Sequence, residues 1–296
     1  MTIHLAYQQL LVQLYEVYDT REAANIADMV IEYITGQKRI DRIVYKDLPV
    51  SVEQQEQIEK IAAELLQHRP VQYVLNEAWF MDMKLIVNES VLIPRPETEE
   101  LAAWIVDDIK KSGSKEISLL DVGTGSGCIP IAVRKKIPEV AVSAIDISDD
   151  ALQVAILNSI QQKVLLDFLH LDFLNEEEWS QLGSYNIIVS NPPYVKQSEQ
   201  GLMRDNVLKY EPHLALFVGD EDALLFYKAI AKFSSTHLKP QGCVYVEINE
   251  ALGKQVIDLF EANGFTDVVL KKDINGKDRM VRSKRLSEDL MNIGGI

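Results

Sequence analysis

Six residues that favour an extended chain, Tyr185-Asn186-Ile187-Ile188-Val189-Ser190, run directly into Asn191-Pro192-Pro193-Tyr194. Two consecutive prolines cannot continue a strand inside a sheet, so the chain must leave the sheet there. In an open α/β sheet, the carboxyl end of a strand is where ligands bind. The residues at this end carry specific chemistry. The Asn191 side-chain oxygen and the Pro192 carbonyl both accept hydrogen bonds, and Tyr194 adds a flat aromatic face. Two acceptors and a plate suit a planar NH2 group. Asn-Pro is also ordinary turn chemistry, so a plain strand-ending turn is the alternative.

Upstream, the apolar stretch 117–120 enters Asp121-Val122-Gly123-Thr124-Gly125-Ser126-Gly127, and a helical pattern over 129–136 leaves it. Glycines let backbone approach a ligand closely, and the amino end of the following helix offers unpaired N–H groups. The spacing is not the dinucleotide fingerprint G-x-G-x-x-G. Gly127 comes one position early, and Cys128 occupies the third-glycine place. Asp121 either holds this loop or reaches the amino group of a ligand. A second apolar run, 140–145, ends at Asp146, a carboxylate able to take both hydroxyls of a ribose. A helix cap ahead of Ser148 is the alternative. A third run, 164–171, leads to Asp172-Phe173, a polar group beside an aromatic where an adenine can rest.

From residue 117 onward, strand and helix patterns alternate. Beyond the Asn191 turn come a helix over 223–238, a strand over 242–248, a helix over 251–263 and two β-like runs, 268–271 and 279–282. Such alternation implies an α/β fold with a mostly parallel sheet covered on both faces. A long irregular segment, 196–219, reads as a functional lid or binding loop. The first seventy residues differ. Leu10, Leu11, Leu14, Tyr15 and Tyr18 repeat at helical spacing, as do Ile26, Met29, Val30, Tyr33 and Ile34. Thr35-Gly36 supplies a stop, Ser51 with Gln54 fits a capping box, and Arg69-Pro70 ends the last helix. We therefore expect a helical bundle over 1–70 and a β-hairpin connector over 71–92, the latter including Gln72-Tyr73-Val74-Leu75 as strand. The larger domain follows over 93–288, opening with a helix after Pro94 and Pro96, and residues 291–296 form a frayed tail. Arg95, Glu97 and Thr98 either line the approach to the site or simply start that helix.

The formal net charge is −15. Nucleic-acid enzymes carry basic surfaces, because neutralising phosphate supplies most of their affinity. An acidic surface instead suits a basic protein as substrate. Cys128 and Cys243 have no paired spacing and the histidines do not cluster, which predicts a cytoplasmic protein without a metal site. No apolar run approaches the roughly 18 residues of a membrane span, so no membrane association is expected.

Taken in order, these motifs resemble the class I S-adenosylmethionine-dependent methyltransferases. Leu92-Ile93-Pro94-Arg95-Pro96-Glu97-Thr98-Glu99, the glycine loop, Asn191–Tyr194 and Tyr210-Glu211-Pro212-His213-Leu214-Ala215-Leu216 resemble, more closely, the protein-(glutamine-N5) methyltransferases that modify peptide chain release factors. The likeness runs from about Pro70 to about Arg285. It departs from the family pattern at Asn76 and Asn249, where glycines are usual.

The resemblance implies a Rossmann-like domain with a seven-stranded sheet, and an enzyme of translation termination. Its substrate would be the glutamine of a Gly-Gly-Gln tripeptide, its methyl donor S-adenosylmethionine and its product S-adenosylhomocysteine. Cofactor binding is expected at Gly123, Thr124, Gly125, Ser126, Gly127, Asp146, Phe173 and Asn191. Substrate binding is expected at Asn191, Pro192, Pro193 and Tyr194, with Asn191, Pro192 and Tyr194 catalytic. A monomer that does not bind nucleic acid directly is expected. Two other readings share some of these residues: adenine-N6 methylation of DNA or RNA, and a non-catalytic nucleotide-binding module.

Overall fold

The computed structural model describes residues 1–114 and 116–285. The expected domain end at 288 and the tail 291–296 lie outside the described residues. The chain divides into two compact units. One comprises Met1–Glu77 with Arg204–Tyr210, and the other comprises Ala78–Met203 with the chain from Glu211 onward.

The first unit is helical, with helices at Ile3–Leu14, Thr20–Thr35, Arg39–Val44, Val52–Leu65 and Val71–Leu75. Local chemistry sets the ends. Asp19 accepts the N–H groups of Arg21 and Glu22, and Ser51 and Gln54 form the capping box. Gly36 closes its helix in the left-handed conformation, φ 69°. Leu10, Leu14, Ile26, Val30, Ile31 and Leu65 meet in one core, whereas Tyr15 and Tyr33 stay exposed on the outer faces. The separate segment Arg204–Tyr210 contributes the helix Asp205–Tyr210 to this unit, and the Tyr210 hydroxyl donates to the Gln67 carbonyl at 2.9 Å.

Val71–Leu75 corrects the expected strand, because it is a five-residue helix. Val71, Tyr73 and Leu75 are all buried, so their alternation imitates a strand, and five residues are too few to display the helical period. Asn76 ends this helix at φ 53°, a conformation asparagine tolerates and glycine prefers, which accounts for the usual glycine there. Asn249 has no such demand on it: its φ is not positive, and its side chain accepts the Ala251 N–H at 3.0 Å.

In the second unit, a hairpin at Glu77–Phe80 and Met83–Ile86 turns through Met81 and Asp82, both at positive φ, as a two-residue hairpin turn requires. Glu77 itself is assigned to the first unit. The helix Pro96–Ser112 then leads into a seven-stranded sheet. Its strands are β1 (Ser118–Val122), β2 (Ala141–Asp146), β3 (Asp167–His170), β4 (Tyr185–Ser190), β5 (Leu238–Glu247), β6 (Phe265–Lys272) and β7 (Asp278–Arg285). The spatial order is β6-β7-β5-β4-β1-β2-β3, parallel except for β7, which runs antiparallel to both β5 and β6.

Alternate residues serve opposite faces. Leu119, Ile187 and Val189 pack with residues of the helices Pro96–Ser112 and Cys128–Lys136. Leu120, Ile188 and Val244 pack with Leu225–His237 and Gly253–Ala262. Chain order reverses between β1 and β4, which lie in register with Val122 opposite Ser190. The glycine loop and Asn191 therefore leave the sheet side by side, at the switch point where ligands bind. The segment 196–219 is less irregular than expected. It holds a 3-10 turn at Gln197–Leu202, helices at Asp205–Tyr210 and His213–Leu216, and a short parallel pairing of Val195–Lys196 with Phe217–Val218.

Candidate active site

A cavity of about 470 Å³ opens at this switch point. Gly123, Thr124, Gly125 and Ser126 form one wall, Asp146, Asp172 and Phe173 a second, and Asn191, Pro192 and Pro193 a third. Gly127 and Tyr194 do not line it.

Gly123, Gly125 and Gly127 all have positive φ, at 71°, 53° and 76°. Every second residue of the loop is thus left-handed, a path L side chains resist. Gly127 also has no room to spare. A Cβ there would lie 3.0 Å from Ile131 and 3.2 Å from Ala155, so it allows the close helix approach that a third glycine normally serves. Its early position in the motif matches its place as N-cap of Cys128–Lys136. Cys128 is buried, and burial pushes its thiol up to about 12, as expected of a packing residue.

Asp146 closes β2. Its Oδ2 accepts the Gly125 N–H at 2.8 Å, and Oδ1 accepts the Ser148 N–H at 3.0 Å. Burial pushes its carboxyl above the usual range, opposed by these N–H groups. The cap of the helix Asp149–Gln162 is Ser148, whose hydroxyl accepts the Ala151 N–H at 3.2 Å. Asp121, at the fourth position of β1, accepts the Thr124 hydroxyl at 2.7 Å through Oδ2, so it does hold the loop. Its Oδ1 is buried and has no hydrogen-bond partner among the described residues. Burial, with the nearby Asp146 adding to it, raises the Asp121 carboxyl to about 7 despite the Thr124 bond. Phe173 lines the cavity but also packs on Trp179 and Phe233, with ring centroids 5.6 and 5.3 Å away, so much of its face belongs to the core.

Around the Asn191 turn a polar network is built from distant segments. Asn191 Nδ2 donates to Thr98 Oγ1 at 3.2 Å, and Thr98 donates to Glu247 Oε2 at 2.6 Å. Tyr194 donates to Glu247 Oε1 at 3.2 Å. Burial drives the Glu247 carboxyl upward, while Thr98, Arg279 and Tyr194 pull it back. Thr98 lies in the first turn of Pro96–Ser112, so the helix-start and site readings of this stretch hold together. Arg95 pairs with the buried Glu211, which also accepts the Ile93 N–H at 3.3 Å. One carboxylate thereby ties residues 93–95 to the chain leading to Pro212, Leu214 and Ala215 on the cavity wall. Glu97 is not on that wall.

Three contributors escaped the sequence reading. Glu247 ends an apolar strand, and a carboxylate at a strand's carboxyl end is a usable signal. Asn158, fully buried in the helix Asp149–Gln162, accepts the Ile86 N–H at 2.6 Å and donates to the Ile86 and Ser126 carbonyls, both at 2.9 Å. It joins the hairpin to the glycine loop, and an amide among apolar helix neighbours is its only mark. Glu211 sits in a motif that carries the resemblance, with nothing local to reveal its partner.

Comparison with known proteins places the chain among methyltransferases. The family model described as "Methyltransferase small domain" matches residues 100–211, and that described as "PrmC N-terminal domain" matches residues 6–75. A Flavobacterium psychrophilum protein named release factor glutamine methyltransferase is 42% identical over 275 residues, covering 93% of this chain and 96% of its own length. One of the same name from Bacteroides thetaiotaomicron is 40% identical, covering 92% and 96%. Among solved structures, the T. thermophilus 16S rRNA N2 G1207 methyltransferase in complex with AdoMet and guanosine shares the fold, at a TM-score of 0.51 and 15% identity, covering 71% of this chain and 49% of that one.

Proposed function

Because the chain belongs to the release factor glutamine methyltransferase family, we infer that it methylates the side-chain amide nitrogen of the glutamine in the Gly-Gly-Gln tripeptide of peptide chain release factors. The observation that carries this reading is the convergence of Asn191–Pro193 with the glycine loop and Asp146 in one cavity. S-adenosylmethionine supplies an electrophilic methyl group when bound. The residues present fit it: a loop with glycine at every second position, Asp146 on the wall, and a buried oxygen on Asp121, without a hydrogen-bond partner among the described residues, suited to a cationic group.

An amide nitrogen is a poor nucleophile because its lone pair is delocalised into the carbonyl. Asn191 Oδ1 and the Pro192 carbonyl each accept one of its N–H groups, fixing the plane of the amide. The same acceptors stabilise the positive charge that develops on nitrogen as its bond to the methyl carbon would form and the donor's sulfur–carbon bond would break. This is an electrostatic contribution rather than acid–base catalysis, and the surplus N–H proton leaves to solvent after transfer. Holding both reactants in line supplies much of the remainder, roughly 7–11 kcal/mol in favourable cases. Tyr194, anchored through its hydroxyl to Glu247, stiffens the turn that presents these acceptors. The first unit, with its own core, grips the body of the factor at a distance from the chemistry. A net charge of −15 supports a basic protein rather than nucleic acid as the target, and a translation substrate implies work in the cytoplasm.

The test uses S-adenosylmethionine carrying a labelled methyl group. Label should enter an intact release factor and be lost when the Gly-Gly-Gln glutamine is changed to glutamate. Label on adenine in DNA or RNA, with none on the factor, overturns the reading.

A second expectation concerns pH. Asp121 titrates near 7 in the ligand-free chain, and a cationic ligand pairs only with its ionised form. A proton therefore competes with the ligand, and affinity must fall as pH falls through 7. S-adenosylmethionine binding by calorimetry should weaken by about tenfold per pH unit below 7 and level off above it. Asp121→Asn should bind weakly with a flat profile. A steep profile retained in that variant assigns the titration to another group.

A further inference from the structure

We propose that Thr98 and Glu247 are positioning residues for methyl transfer, acting by fixing which end of the Asn191 amide faces the substrate. The proposal rests on Asn191 being a substrate acceptor, as read above. An asparagine side chain has two ends of nearly equal size, and only one of them accepts hydrogen bonds. Turned the wrong way, Asn191 would offer a donor to a substrate NH2 that also donates. Such a site repels what it must hold.

The network resolves the choice. In its ionised form, which Thr98, Arg279 and Tyr194 favour, the Glu247 carboxylate only accepts, so the Thr98 hydroxyl hydrogen is committed to Oε2 at 2.6 Å. Thr98 then shows Asn191 lone pairs alone, and the group that meets it at 3.2 Å must be the donor, Nδ2. That leaves Oδ1 as the other end of the amide, without a hydrogen-bond partner among the described residues. Tyr194 donates to the other carboxylate oxygen, so Glu247 is held from both sides and cannot readily turn. Thr98 is 3% exposed and Glu247 1%, so water does not compete for these bonds. The parts come from three places: the first turn of Pro96–Ser112, the end of β5 and the end of β4. Sheet pairing brings the last two together, since Ser190 lies opposite Val246 in register.

The test compares Thr98→Val, which keeps the shape and removes the hydroxyl, with Thr98→Ser, which keeps the hydroxyl. With an intact release factor, Thr98→Val should lower kcat by 10-fold or more, leaving the KM for factor and the affinity for S-adenosylmethionine within about threefold. Thr98→Ser should restore kcat to within about threefold of the parent. Because Thr98 acts through Asn191, adding Thr98→Val to Asn191→Ala should cost less than a further twofold. A Thr98→Val enzyme with kcat within twofold of the parent overturns the proposal. So does a Thr98→Ser enzyme as impaired as the valine variant, or losses that multiply in the double variant. Near-normal turnover by Asn191→Ala alone overturns the acceptor reading and this proposal together. A damaged Asn191→Ala beside a healthy Thr98→Val overturns only the latter.

Discussion

Asn191→Ala is expected to reduce kcat for methylation of an intact release factor by roughly 10²–10³-fold, the cost of removing one preorganised electrostatic contact from a transition state. Cofactor affinity should change far less, because the glycine loop and Asp146 are built from β1 and β2 rather than from this turn. Asn191→Asp is a sharper probe. It keeps the acceptors but loses the Nδ2 donor, placing a carboxylate against Thr98 Oγ1 and near the buried Glu247. Turnover should again fall severely, with alanine the worse of the two. Single-turnover assays with saturating cofactor separate this from weak binding, and an alanine variant with near-normal turnover would falsify the role assigned to Asn191.

The largest loss of cofactor affinity is expected from Asp146→Ala. Hydrogen bonds to a charged group contribute roughly 1.5–3 kcal/mol, which corresponds to a weakening of about 10- to 150-fold. The structure gives two reasons for the high end of that range. The substitution removes a carboxylate from the cavity wall, and it also frees the Gly125 N–H that Oδ2 now holds at 2.8 Å. Asp146→Asn retains one acceptor and should fall between alanine and the parent. Calorimetric affinity unchanged in Asp146→Ala removes this residue from the cofactor site.

Much of the second unit was legible because its signals are local. Apolar runs ended by Asp121, Asp146 and Asn191 mark strand ends, and they are β1, β2 and β4. The alternation of strand and helix patterns predicted the mostly parallel sheet. Local signals failed where an element was too short to repeat its own period, as at Val71–Leu75 and His213–Leu216. They failed differently at Glu247, Asn158 and Glu211. Each of those side chains acts through a partner between 72 and 149 positions away, as the Asn158–Ile86, Glu211–Ile93 and Glu247–Thr98 bonds show. A pairing over that distance is created by the fold and leaves no mark in spacing. Asp121 lay between these cases: the sequence left two roles open, and the Thr124 bond supports one without removing the other.

The helical unit is assembled from two stretches of chain, with Arg204–Tyr210 inserted from far downstream. It is therefore not a detachable leader. Cutting the chain once after Glu77 would leave both fragments defective, one lacking the Tyr210 tie to Gln67 and the other carrying a helix with nothing to fold against. Chimeras that exchange recognition units between relatives should accordingly be spliced at three junctions, 77/78, 203/204 and 210/211. A swap confined to residues 1–77 should express poorly, and co-transplanting the seven-residue insert should recover it.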